Sequence, residues 1–300
     1  MNPSALSNPH ARLLPHEWLF GGWLTAMTAW LIAATGLTQA TTFLFMGATA
    51  LCYGLIVWCG RKPSAARWRI RLLWYPAVMG ISYYALPAAL VLLHRPLTDV
   101  HLAAADNALL GRPVALSLQA IASQATTDLL TVAYLFFFVM LVFGPGYYCL
   151  RDLPRFRACI AGLFCVYALG FAGYVALPAA GPHRFLTLPP LPAGWLTRWM
   201  APVIGHASNG VDVFPSIHFA ASLYLLAFDA RFHHRRFWGW LLPATLLWLS
   251  TVYLRYHYLV DLIAGFAVGA LGLTIALRFE RSPLAQALRT GFIAPPGTRG

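Results

Sequence analysis

Eight runs of mainly apolar residues punctuate this chain, most of them long enough to cross a lipid bilayer, and that spacing constrains the fold before any motif is read. A hydrocarbon core of about 30 Å takes roughly 20 helical residues, and inside it only helices and closed barrels satisfy their own backbone polar groups. The runs fall at 18–36, 42–60, 72–93, 129–150, 158–177, 216–230, 238–254 and 258–277. Charged residues make up only 10% of the chain, against about a quarter in a soluble domain. The expected fold is all-α, a polytopic transmembrane helix bundle of about eight spans.

Cytoplasmic loops of membrane proteins retain Lys and Arg. With the N-terminus inside, sixteen of the 21 Lys and Arg residues fall in inner segments and five, Arg95, Arg112, Arg184, Arg198 and Arg255, in outer ones. Both termini are therefore expected to be cytoplasmic. The net charge of +12 then reports topology rather than a nucleic-acid partner, which would require a basic groove with interleaved polar and aromatic groups. The first run is long for a signal peptide and carries little flanking charge, so it reads as a retained span. Residues 1–17 read as a cytoplasmic segment, 18–278 as one transmembrane catalytic domain, and 279–300 as a poorly ordered cytoplasmic tail. The five cysteines lie in or beside apolar runs without a Cys-x-x-Cys pair, which points to neither a disulfide framework nor a zinc site. No cofactor is implied.

Two outer connections are longer than the rest, 95–127 and 178–215, and extended loops in compact domains are usually functional. Two short segments on this face carry ionisable groups beside apolar runs: Pro215-Ser216-Ile217-His218, and His257 followed four residues later by Asp261. Ionisable groups at membrane depth are costly and mark a functional site by default. With eight spans, His218 and His257 open helices from the same face. The 13 residues from His218 to Arg231 correspond to about 20 Å of helix, which recesses His218 below the outer surface, at a depth suited to a lipid-borne phosphate.

These residue types suit phosphoryl transfer. Pro215 and Ser216 can start and cap a helix whose first amides face an anion. A spacing of four places His257 and Asp261 on one helix face, and a carboxylate beside an imidazole fixes its tautomer and stabilises the imidazolium. His257 is then the candidate nucleophile, His218 the general acid, and Arg184, in Pro182-His183-Arg184, a cation for the phosphoryl oxygens that needs no metal. The bland alternative reads both histidine motifs as helix caps without chemistry. Asp106 and Asp128 read as caps, His101 and His206 as wetted loop residues, and His233 and His234 as interfacial charge.

At these residues the sequence resembles the type 2 phosphatidic acid phosphatase superfamily, with its Pro-Ser-Gly-His and terminal His-x-x-x-Asp signatures. It is more similar to the branch of fungal inositol phosphorylceramide synthases, the aureobasidin-resistance proteins. Their Pro-Ser-Leu-His is matched by Pro215 to His218, and their Ser-Thr-x-Tyr-Leu-x-x-His-Tyr-x-x-Asp by Ser250 to Asp261. Bacterial members carry segments like Gly181 to Arg184 and Asp106 to Pro113. The resemblance, over about residues 95–265, implies a phosphohistidine mechanism with His257 as nucleophile, Asp261 as its orienting partner and His218 as acid. It departs from the phosphatase branch in lacking Lys-x6-Arg-Pro and in placing Thr251 where that branch has Arg. Arg255, one turn later if the stretch is helical, is the expected substitute. Arg184, Ser216 and Arg255 are thus the expected substrate-binding residues.

The function these features suggest is a metal-independent lipid phosphotransferase of inositolphosphotransferase type, with a lipid phosphate as donor and an alcohol as acceptor. With water as acceptor the same site is a lipid-phosphate or polyprenyl-diphosphate phosphatase. A lipid transporter or scaffold that inherited the fold is the alternative from another class. The expected location is a bacterial inner membrane, surrounded by membrane lipids, with the site on the periplasmic or extracellular side.

Overall fold

The computed structural model describes residues 8–290, and among these every regular element is helical. A 3-10 turn, Pro9–Ala11, precedes α1 (Pro15–Thr35), α2 (Ala40–Arg61) and α3 (Ala65–Leu92). Three shorter elements follow: α4 (Asp99–Leu110), α5 (Val114–Ser117) and a second 3-10 turn at Leu118–Ile121. Next come α6 (Gln124–Arg151), α7 (Leu153–Ala176), α8 (Pro182–Phe185), α9 (Trp195–Ala207), α10 (Ile217–Phe232), α11 (His234–Tyr253), α12 (Leu259–Glu280) and α13 (Pro283–Thr290).

Each of the eight apolar runs forms one long helix, but among the described residues only six helices, α1, α2, α3, α6, α7 and α12, are long and apolar enough to cross a membrane by length and composition. The two others depart for different reasons. At 16 residues, α10 reaches about 24 Å, and α11 opens on His234, Arg235 and Arg236. The outer surface of the bundle exposes Trp30, Val57, Val91, Phe143 and Phe266; a belt of this kind is costly in water and suited to lipid.

The centre of the bundle is α7, buried along nearly its whole length and packed against α1, α3, α6, α10 and α12. Glycines permit this density. On α12, Gly265, Gly269 and Gly272 face α10 and α7 at spacings of four and three, the small-residue packing by which membrane helices approach backbone to backbone. A Cβ at Gly269 would lie 2.7 Å from the Ala220 carbonyl oxygen, and one at Gly265 would lie 2.8 Å from that of Ser216. Gly269→Leu is therefore expected to separate α12 from α10 at a cost of about 1–3 kcal/mol or more, seen as a lower unfolding temperature in detergent.

At the opposite end from the histidines, the Arg71 guanidinium is fully buried and paired with Glu17. It donates to Glu17 Oε1 at 2.7 Å and to the His10 and Arg12 carbonyls at 2.8 Å each. A buried charge is tolerated when its hydrogen bonds are met in this way, so Arg71 ties the first residues to α3 rather than facing water. The tail also departs from expectation as far as residue 290. Helix α13 packs Leu288 into the core, and Arg157 Nη1 donates to the Leu288 carbonyl at 3.1 Å; residues 291–300 of the expected tail, like residues 1–7, lie outside the described residues.

Candidate active site

The site forms where α10 and α12 begin side by side, joined by a hydrogen bond of 3.0 Å from the Ser216 amide to the Asp261 carbonyl. Sequence spacing suggests that His257 and Asp261 share a helix face, but α12 starts only at Leu259 and His257 precedes it. They meet nonetheless, because Asp261 occupies the third helical position and its Oδ2 reaches back to accept the Tyr258 amide at 2.7 Å. That oxygen lies 3.4 Å from His257 Nδ1. The same Nδ1 sits 3.0 Å from the Val213 carbonyl, which can only accept, so Nδ1 carries the hydrogen and Nε2 is left with its lone pair. Nε2 faces His218 Nδ1 at 3.5 Å.

His218 stands in the first turn of α10. Ser216 caps that helix, its hydroxyl oxygen accepting the Phe219 amide at 3.3 Å. The ring is held between Tyr134 and Phe137 of α6, centroids 4.8 and 4.5 Å away, and its Nε2 lies 3.0 Å from the Tyr134 hydroxyl. Both histidines are thus fixed in rotation before any ligand arrives.

Two carboxylates on α4 hold this arrangement from the side. Asp106 accepts the amides of Leu259 and Val260 at 3.0 and 2.9 Å, capping α12 from another helix, since residue 258 is a tyrosine whose side chain cannot cap it. Asp99 accepts the Ala180 and Gly181 amides at 2.8 Å each and the Tyr258 hydroxyl at 3.0 Å. Gly181 has φ of 92° and a Cβ there would lie 2.7 Å from the Tyr256 carbonyl oxygen, so only glycine lets this loop pass. Asp128 likewise caps a helix not its own, accepting the Thr197 amide of α9 at 2.9 Å.

The histidines open into a narrow chamber of about 30 Å³ lined by Tyr134, Ala180, His183, Asp212, His218 and His257. It adjoins an apolar cavity of about 450 Å³ among α3, α6, α7, α9 and α10, with Met79, Tyr83, Phe138, Leu141 and Val203 in its wall. Tyr134, Ile204, Ser208, Asp212 and His218 line both.

The other expected residues are placed differently. Ser216 is fully buried with its hydroxyl engaged as a cap. Arg184 is exposed on α8 and lies against Gly210, where a Cβ would meet its Nη1 at 2.5 Å. It therefore borders the loop that carries Asp212 without lining the chamber. Arg255 does not continue the face of Thr251: α11 ends at Tyr253, Arg255 has φ of 67°, and its Nη2 donates to Gln119 Oε1 at 2.6 Å. Its carbonyl accepts the His183 amide at 2.9 Å. Residues not foreseen from sequence are Tyr134, which touches His218, and Asp212. An acid flanked by Val211, Val213 and Phe214 is the signal by which Asp212 stands out in retrospect. Among the described residues no three His, Cys, Asp or Glu side chains are grouped to hold a metal ion.

Burial pushes the His257 imidazole down to about 4, opposed by the charge of Asp212 and the Val213 carbonyl. A depressed pKa keeps the ring neutral and nucleophilic throughout the neutral range. The acid limb of the activity profile is thus expected near pH 4 rather than at the ordinary 6.5. Between those values the unfolded chain binds a proton that the folded site refuses. Stability contributed by this group is complete above about pH 6.5 and is lost as pH falls toward 4, by roughly 3 kcal/mol. A pH–rate profile and thermal unfolding at pH 7 and 5 check the two halves.

A family model described as the PAP2 superfamily matches residues 100–275, a span that contains all of α4 after Asp99, both histidine motifs and nearly all of α12. Searches of curated proteins and of solved structures find no match. With more than half of its length matched, a span that includes His218, His257 and Asp261, this chain belongs to the PAP2 superfamily, a membership that points to a phosphatase or phosphotransferase of lipid phosphates.

Proposed function

We propose that this protein is a membrane-embedded phosphotransferase that moves the phosphoryl group of a lipid-linked phosphate through a phosphohistidine. The observation that carries the proposal is the convergence of His257, His218 and Asp261 beside a narrow chamber that adjoins an apolar cavity. His257 Nε2 attacks phosphorus, the N–P bond forms as the bond to the lipid oxygen breaks, and His218 gives the leaving oxygen its proton. In the second half an alcohol or water attacks the phosphohistidine, returns its proton to His218 and restores His257. Asp261 Oδ1 is buried without a hydrogen-bond partner, so the carboxylate has capacity to offset the positive charge that develops on His257. In this reading Arg184, which stands beside Gly210 outside the chamber, swings inward to meet the phosphoryl oxygens when a substrate binds. Ser216 and Arg255 serve the site through the α10 cap and through the carbonyl that holds His183.

The run from Ser250 to Asp261 favours an alcohol acceptor of the inositolphosphotransferase kind, and water as acceptor makes the same machinery a phosphatase. All eight long helices cross the membrane in this reading. The excess of Lys and Arg in inner segments puts both termini in the cytoplasm and the histidines toward the periplasmic or extracellular leaflet of a bacterial inner membrane.

The test is turnover by the purified protein in lipid nanodiscs supplied with lipid monophosphates and a polyprenyl diphosphate, with released phosphate and transferred product both measured. Activity is expected to persist in excess EDTA, since the chemistry assigns no step to a metal. Absence of turnover on all of these lipids overturns the proposal, and loss of activity in chelator overturns its metal-free part.

A further inference from the structure

A carboxylate is an unfavourable wall for a phosphate site, yet Asp212 lines both the histidine chamber and the apolar cavity. It is 9% exposed. One oxygen accepts the Tyr83 hydroxyl and the other accepts the Ser208 hydroxyl at 3.1 Å. The two oxygens of a carboxylate offer about four acceptor positions, so about two remain where the cavities meet. Among the described residues no Lys or Arg lines either space, and Asp212 has no ion-pair partner within them. The dianion of a phosphate ester presents only acceptors to Asp212 and is repelled. A free alcohol presents a hydroxyl hydrogen, and an apolar body attached to it lies in the 450 Å³ cavity, within the size range of small-molecule sites.

We infer that Asp212 is a specificity residue that accepts the hydroxyl hydrogen of a membrane-borne lipid alcohol, whose chain occupies the apolar cavity among α3, α6, α7 and α9. This rests on the proposed reaction, in which a lipid alcohol leaves the phosphorus or, in transfer, arrives at it. Seating that alcohol within the site, apart from bulk solvent, lets its hydroxyl compete with water for the phosphohistidine. The alcohol is drawn from the bilayer, because the cavity and not the polar chamber carries the volume.

The inference is tested by binding, independently of turnover. Hexadecanol and its methyl ether differ by the one hydrogen that Asp212 would accept, and both compete with a photoreactive long-chain alcohol for the detergent-solubilised protein. The wild-type protein is expected to bind the alcohol about tenfold more tightly than the ether, as a hydrogen bond to a charged group warrants. Asp212→Asn, which keeps an acceptor for Tyr83, is expected to reduce that preference to about twofold or less. Tyr83→Phe retains the carboxylate and should retain the preference. Equal binding of alcohol and ether by the wild-type protein overturns the inference without any variant. So does a preference that survives in Asp212→Asn, or one lost equally in Tyr83→Phe, which would assign Asp212 to anchoring its loop. A protein that discriminates alcohol from ether yet turns over no lipid phosphate refutes the proposed reaction and leaves the alcohol site standing.

Discussion

Replacing His257 by Ala is expected to lower turnover of lipid phosphates by roughly 10⁴-fold or more, the scale on which loss of a covalent nucleophile acts. The argument is geometric. The ring is 2% exposed, its Nδ1 is held by the Val213 carbonyl and faces Asp261, and its Nε2 is aimed into the chamber. No neighbouring group duplicates that placement, because His218 Nε2 is turned to Tyr134. A radiolabelled lipid phosphate quenched at alkaline pH, where phosphohistidine survives, should label the wild-type protein and leave His257→Ala unlabelled. Label retained on the variant, or turnover within tenfold of wild type, refutes His257 as nucleophile. The small cavity left among α10, α12 and the 208–213 loop affects folding modestly at most, and an unchanged unfolding temperature separates lost chemistry from lost structure.

His218→Gln is expected to cost about 10² to 10⁴ in turnover of a lipid phosphate, the usual worth of a general acid. Gln has a similar volume, so the packing between Tyr134 and Phe137 is largely kept. The diagnostic feature is leaving-group dependence. An alkoxide requires a proton as it departs whereas p-nitrophenolate does not, so hydrolysis of p-nitrophenyl phosphate should fall by only about tenfold or less in the same variant. Equal loss on both substrates would place His218 in phosphate binding instead of proton transfer. The phosphohistidine should still form from the activated ester, which distinguishes this variant from His257→Ala.

Much of this arrangement is legible in the sequence because membrane insertion writes it plainly. The apolar runs mark the ends of the long helices to within three residues and their starts to within seven, and the short motifs at 215–218 and 257–261 mark the openings of α10 and α12. Less legible is whatever depends on partners distant in the chain. The histidine–carboxylate pair meets through a capping interaction that precedes α12 rather than through helical periodicity. Arg255 is diverted by a left-handed backbone step and by Gln119, neither of which leaves a signature. Asp106 and Asp128 cap segments to which they are not adjacent, so a local reading recovers a capping role without its target, and Asp99, which grips the 180–181 amides, leaves no local signal. Asp212 and Tyr134 join the site only because α6 and the 208–213 loop pack beside α10. The short α10 and polar-headed α11 show the same limit, since composition alone does not qualify them as spans although both sit in the bundle.

The two aspartates of α4 carry a mechanical consequence. One grips the loop that precedes α8, the other the opening amides of α12, so the position of His257 is set by a short helix that contacts no reactant. Its accessible flank presents Val100, Leu109 and Leu110. An antibody fragment or cyclic peptide clasping that flank and tilting it by an ångström would displace His257 and, on the proposed reaction, abolish turnover without ever competing for a lipid.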